Sequence, residues 1–196
     1  MTTRWAGAKD AYAGAGALIA RYWRAYGGWR AFTFSPYMHL SLLLTAATWK
    51  IWRREDWWDS VGSVIPSLLG FSLGGMAIIL SFGGEKFLQT ISGRESGDKE
   101  ESPYIAVTAA FAHFVFVQVL SLVVSILCLA FWRIEGSSSE WLFTVNKVAR
   151  VSLWGFGFWL YLYAICLSAA TLFAVFRVAT WFDAHQTDEK KEQKDR

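Results

Sequence analysis

The sequence predicts an all-α, polytopic membrane protein: four transmembrane helices preceded by an N-terminal interfacial amphipathic helix. Three observations carry this. Hydrophobic residues make up 54% of the chain and charged residues only 18%, with mean hydropathy +0.28, which excludes a disordered or ordinary soluble domain. Long stretches carry no charge at all. Twelve Trp and seven Tyr gather near the ends of those stretches, as at Trp49, Trp52, Trp57, Trp58, Trp132, Trp141 and Trp181, where amphipathic aromatics form belts at membrane–water interfaces.

Residues 1–30 form the interfacial segment. Leu18, Ile19, Tyr22, Trp23 and Tyr26 fall on one helical face, with Arg21 and Arg24 beside it. That arrangement suits a helix lying on an anionic leaflet. The stretch 11–20 is Ala/Gly-rich and too weakly hydrophobic for a signal peptide.

Four uncharged runs follow within a transmembrane domain of residues 31–182, at 31–49, 60–84, 104–132 and 151–176. The first just suffices to cross roughly 30 Å of hydrocarbon. It contains Pro36 and His39 and is bounded tightly by Arg30 and Lys50, so three spans plus a buried half-helix is the rival arrangement. Pro66, near the start of the second run, favours a kink. The third run exceeds what a crossing needs, so it tilts or protrudes. With four spans, the Lys/Arg of the outer segments and loops divide 13 against 6. By the positive-inside rule both termini then face the cytoplasm. Three spans divide them 11 to 8, a poorer bias. Residues 183–196 form a charged cytoplasmic tail, mixed in sign, and residues 93–102 a polar loop.

The second run carries the most distinctive pattern. Ser63, Ser67, Gly70, Gly74, Ala77, Ser81 and Gly84 recur at alternating spacings of four and three. Such a seam stays on one side of a helix and lets another backbone approach closely in lipid. The partner is either the chain's own first or third span or a neighbouring copy; a seam this long favours assembly into a homo-oligomer. The third run has a polar stripe of Gln118, Ser121, Ser125 and Cys128. Gln118 is too polar to face acyl chains, so it turns toward protein or lines a hydrated path. A looser stripe of Gly157, Tyr161, Ala164, Ser168 and Thr171 marks the fourth.

Catalysis is not expected. His39, His113 and His185 are scattered, without metal-ligand spacing, and no cofactor motif is present. Gly70-Phe71-Ser72-Leu73-Gly74 matches the G-x-S-x-G nucleophile pattern, but lies within an apolar helix rather than at a strand-to-helix elbow. An intramembrane hydrolase would need Ser72 beside His113. The spans hold no charged residue for ion coupling. Cys128 and Cys166 read as small buried hydrophobes at different depths. A net charge of +3 without an aromatic-laced basic patch argues against nucleic acid.

The segment Ile65-Pro66-Ser67-Leu68-Leu69-Gly70-Phe71-Ser72-Leu73-Gly74-Gly75, followed by Phe82-Gly83-Gly84-Glu85-Lys86-Phe87, resembles stretches of small bacterial four-helix membrane proteins. Some proteins of that general kind are membrane components of anti-phage defence systems. The resemblance implies a bacterial inner-membrane location. The leading expectation is a non-enzymatic, self-associating protein in contact with membrane lipids and a soluble cytoplasmic partner, acting as an anchor or bilayer-perturbing effector. Its assembly contact would be Ser63, Ser67, Gly70, Gly74, Ala77 and Ser81. The alternative is a passive pore lined by Ser63 and Ser67 together with Gln118, Ser121 and Ser125.

Overall fold

The structure, a computed structural model, describes residues 2–53, 56–81, 85–93, 101–133 and 140–194. The described residues hold eight helices and no strand: α1 (Thr2–Tyr26), α2 (Gly28–Thr33), α3 (Pro36–Ala47), α4 (Trp49–Trp52), α5 (Trp57–Ser81), α6 (Glu85–Ile91), α7 (Pro103–Arg133) and α8 (Glu140–Lys194). Gly84 and most of the polar loop at 93–102 lie outside the described residues.

Among them, three helices are long and apolar enough to cross a membrane, drawn from α5, α7 and α8. The fourth span expected at 31–49 does not form. Ser35 adopts an extended conformation (φ −67°, ψ 124°) ahead of Pro36, which opens α3. This is the conformation proline imposes on its predecessor. Thr48 (φ −97°, ψ 19°) then separates α3 from α4. The 12 residues of α3 rise about 18 Å, too little to cross roughly 30 Å of hydrocarbon. The expectation that both termini lie on one side rested on a fourth span at 31–49.

These three helices alternate in direction. α7 and α8 form the most extensive pairing, and it is antiparallel. His113 meets Tyr163 at 3.1 Å, while Cys128 Sγ approaches the Leu153 carbonyl at 3.8 Å. α5 runs antiparallel to α7, with Ser72 against Gln118 and Gly75 near Phe111. α5 continues unbroken through Pro66. α3 lies along α8, held by Trp159 Nε1 donating to Ser41 Oγ at 3.0 Å. Cys128 and Cys166 are both buried and unpaired as a disulfide.

The two ends of the bundle carry aromatic and cationic side chains. At one end Trp57, Trp58 and Trp154 pack together, with the Arg150 guanidinium 5.2 Å from the Trp154 ring. At the other, Phe87 and Phe182 join Val107 and Val178, and Arg177 stacks on Trp181 at 5.6 Å. Trp154 and Trp181 are 27 residues apart on one helix, or about 40 Å along its axis. That matches a bilayer of ~40–45 Å including its headgroup regions. α8, with 55 residues, runs about 80 Å and continues well beyond that height.

Of the described glycines, Gly157 leaves the least room between helices. A Cβ built there would meet Trp57 at 2.7 Å and Val124 at 3.0 Å. One at Gly62 would meet nothing within 4 Å. Gly157→Ala should therefore overpack the α5–α7–α8 junction, at a cost of about 1–3 kcal/mol, offset only in part by the higher helix propensity of alanine. A lower thermal midpoint for Gly157→Ala, and an unchanged or higher one for Gly62→Ala, is the expected result in detergent.

Candidate functional site

Two faces of α5 separate the residues that the sequence singled out. Trp57, Trp58, Val61, Ile65 and Ser72 turn inward and are buried. Ser63, Ser67, Gly70, Gly74, Ala77 and Ser81 turn outward and are exposed. Only 17% of the apolar window of α5 is buried, against 44% for α7 and 50% for α8. The small-residue seam thus packs against neither of the chain's other spans. A Cβ at Gly70 or Gly74 would meet nothing within 4 Å, so the groove they form is open. Two of its three serines satisfy their hydroxyls within their own helix: Ser63 Oγ donates to the Ser60 carbonyl at 3.0 Å, and Ser81 Oγ to the Ala77 carbonyl at 2.8 Å. The outer surface around the seam presents Phe71, Leu73 and Ile78.

The polar stripe of α7 faces the opposite way, into the bundle. Gln118 and Ser121 are completely buried, and Ser125 almost so. Gln118 Nε2 donates to Ser72 Oγ at 3.3 Å, and Ser72 Oγ donates to the Leu68 carbonyl. Ser125 Oγ donates to the Leu122 carbonyl at 2.8 Å. Gln118 therefore fastens α7 to α5, the interhelical role its polarity demands. Ser63 and Ser67 share no surface with Gln118, Ser121 and Ser125, so a single chain does not bring the expected pore lining together. The hydrolase geometry is also missing: Ser72 is engaged by Leu68 and Gln118, and both nitrogens of His113 by tyrosines.

His113 is the centre of a cluster that sequence reasoning did not anticipate. Its Nδ1 lies 2.6 Å from the Tyr22 hydroxyl and its Nε2 3.1 Å from the Tyr163 hydroxyl. A neutral imidazole donates through one nitrogen and accepts through the other, so a directed hydrogen-bond chain joins α1 to α8 through α7. The Tyr26 ring stacks on the imidazole at 3.9 Å, and Phe32 stands edge-on to both His113 and Tyr163. Burial, and secondarily the neighbouring Tyr26, pushes the Tyr22 phenol up to about 12; it keeps its proton at physiological pH. Burial raises Tyr26 as well, with a hydrogen bond to Tyr163 acting in the other direction.

The turn between α1 and α2 makes this cluster. Gly27 (φ +105°) and Gly28 (φ +62°) occupy left-handed conformations that a side chain would strain. The reversal brings Trp29 back against Trp23, with ring centroids 5.1 Å apart. The expected interfacial helix is thus docked on the bundle through its last turns. Leu18 and Ile19, assigned from periodicity to the same apolar face, remain exposed. The paired glycines among aromatics at 22–32 were the available signal for a turn; nothing in them points to His113, 81 residues after Phe32.

Between this turn and α8 lies an open cleft of about 510 Å³, lined by Tyr26, Arg30, Phe34, Pro36, Tyr37 and Leu167 among others. The described residues contain no cluster of His, Cys, Asp or Glu fit to hold a metal ion. Comparison with protein families, with curated proteins and with solved structures returns no match to this chain.

Tyr22→Phe removes the hydroxyl that pins α1, and a typical hydrogen bond contributes about 1 kcal/mol. Limited proteolysis within α1 and α2 should accelerate several-fold in Tyr22→Phe, while the α5–α7–α8 core keeps its protection. Equal cleavage rates would show that the stacked rings alone hold the segment.

Proposed function

We propose that this protein is an integral membrane protein that self-associates through the open seam of α5, and that it works as a membrane anchor or bilayer-perturbing effector rather than by catalysis. The observation that carries the reading is the placement of Ser63, Ser67, Gly70, Gly74, Ala77 and Ser81 on an exposed face, on a helix whose opposite face is fully engaged. Within the chain that groove is vacant. In lipid, a groove of small residues is valuable chiefly when a second backbone fills it, because close packing is the main force available between helices there.

Two further features support embedding. The tryptophan and arginine groups at the two ends of the bundle are spaced to a bilayer's height. The surface between them presents Phe71, Leu73, Ile126, Leu127, Leu172 and Phe173, a band that water would penalise and acyl chains would not. The exposed, mixed-charge end of α8 offers a cytosolic partner an attachment point if that end faces the cytoplasm. A component of a defence system, delivering a signal from such a partner to the bilayer, is the biological role that this arrangement suits.

Gly70→Leu and Gly74→Leu test the seam directly. Each should shrink the assembly measured in nanodiscs or mild detergent, with membrane insertion unchanged. Oligomer size equal to that of the unaltered protein in both variants would exclude the seam as the assembly contact.

A further inference from the structure

The spanning helices supply a depth scale for the rest of the chain. On α8 the apolar stretch is bracketed by Arg150 and Arg177, and Tyr163 lies 13 residues beyond the first and 14 before the second. At helical rise it is about 20 Å from each. His113, bonded to Tyr163, shares this middle depth. So do Tyr22 and Tyr26, the one bonded to the imidazole and the other stacked on it. The last turns of α1 therefore sit halfway up the apolar height of the bundle, not at its rim.

Three arginines come with them. Arg21 adjoins Tyr22, Arg24 lies between the two tyrosines, and Arg30 shares the cleft with Leu167; all three are exposed. Leu167 is ten residues short of Arg177, so Arg30 too lies about 15 Å inside the charged end of α8. A guanidinium keeps its charge in proteins and is strongly disfavoured in mid-hydrocarbon. The roughly 15 Å from the middle of a ~30 Å core to either surface exceeds what an arginine side chain covers by snorkelling. Acyl chains are thus the wrong surroundings for this flank. A second copy is a poor substitute, because residues 60–84, 104–132 and 151–176 contain no Asp or Glu to pair with the arginines at that depth.

We infer that the α1–α2 flank borders a water-filled, cationic crevice that enters the bilayer to the depth of the buried His113 and admits small anions in preference to cations. Arg21, Arg24 and Arg30 form its charged wall, and the cleft beside Leu167 is part of its floor. Water solvates the guanidiniums that lipid cannot, and the apolar α7–α8 wall behind them concentrates their field on the solution side. The inference rests on the membrane reading above, and adds to it a polar entry on a different face from the α5 seam.

Cysteine accessibility tests it on the full chain in sealed proteoliposomes. Ala20→Cys and Ala25→Cys report on the flank. Phe71→Cys reports on the outer face of α5, next to Ser72, which lies 13 residues from both Asp59 and Glu85. The unaltered protein, whose Cys128 and Cys166 are buried, serves as the blank. Membrane-impermeant methanethiosulfonates, applied to both sides, should modify Ala20→Cys and Ala25→Cys and leave Phe71→Cys untouched. The anionic reagent should react several-fold faster than the cationic one, after correction for their rates with free thiol, and Arg24→Gln in the Ala20→Cys protein should reduce that preference. Flank cysteines that resist both reagents yet react with a lipid-soluble maleimide would overturn the crevice. Equal corrected rates would overturn its preference for anions. Reaction at Phe71→Cys as well would instead overturn the membrane reading. A second measurement needs no substitution: p-hydroxyphenylglyoxal, a water-soluble arginine reagent, should modify Arg21, Arg24 and Arg30 in the sealed vesicles, as read by mass spectrometry. Protection of all three would equally overturn the proposal.

Discussion

The antiparallel α7–α8 pair sets the register of every other helix. Apolar contacts alone leave two long helices free to slide or rotate against one another, particularly in lipid, where inner and outer surfaces are both apolar. Here polar groups fix the alignment. His113 meets Tyr163 near the middle, Cys128 approaches the Leu153 carbonyl toward one end, and Gly157 admits Trp57 and Val124 between them. Once that pair is registered, α5 has one groove to enter, and Gln118 bonded to Ser72 holds its inner face there.

That arrangement gives the bundle two unlike flanks. On one side α5 presents small residues and little polar demand, since Ser63 and Ser81 bond to their own helix. This surface tolerates either lipid or a closely packed neighbour. On the other, the N-terminal segment is held by an aromatic and hydrogen-bonded grip on His113 and carries charge with it. A histidine with both nitrogens engaged inside a ring of aromatics is well suited to positioning a segment. Its bonds disfavour rotation of the imidazole, while the stacked rings exclude water from it.

Much of the architecture was legible in the chain itself. Composition and uncharged runs were sufficient for an all-helical protein with helices apolar enough to span a membrane. The clustering of tryptophan near the ends of the uncharged runs anticipated Trp57, Trp58 and Trp181 in the groups at the two ends of the bundle. The opposition of Ser72 to the small-residue seam followed from helical geometry alone. The first run misled because 19 uncharged residues met the length requirement, whereas Pro36 and its extended predecessor cut the usable helix to 12. Backbone conformation outweighed hydropathy there.

The sequence by itself determined which segments are helical and apolar, because periodicity and transfer energy are local properties. It could not determine which side of α5 meets the protein. In a chain whose inside and outside are both apolar, hydropathy has no contrast between them, and small residues suit an inner or an outer contact equally. Tertiary packing decided that the seam faces out and the polar stripe of α7 faces in. It also decided what surrounds His113, since Tyr22, Phe32 and Tyr163 approach the imidazole from three other helices, at separations no local pattern encodes.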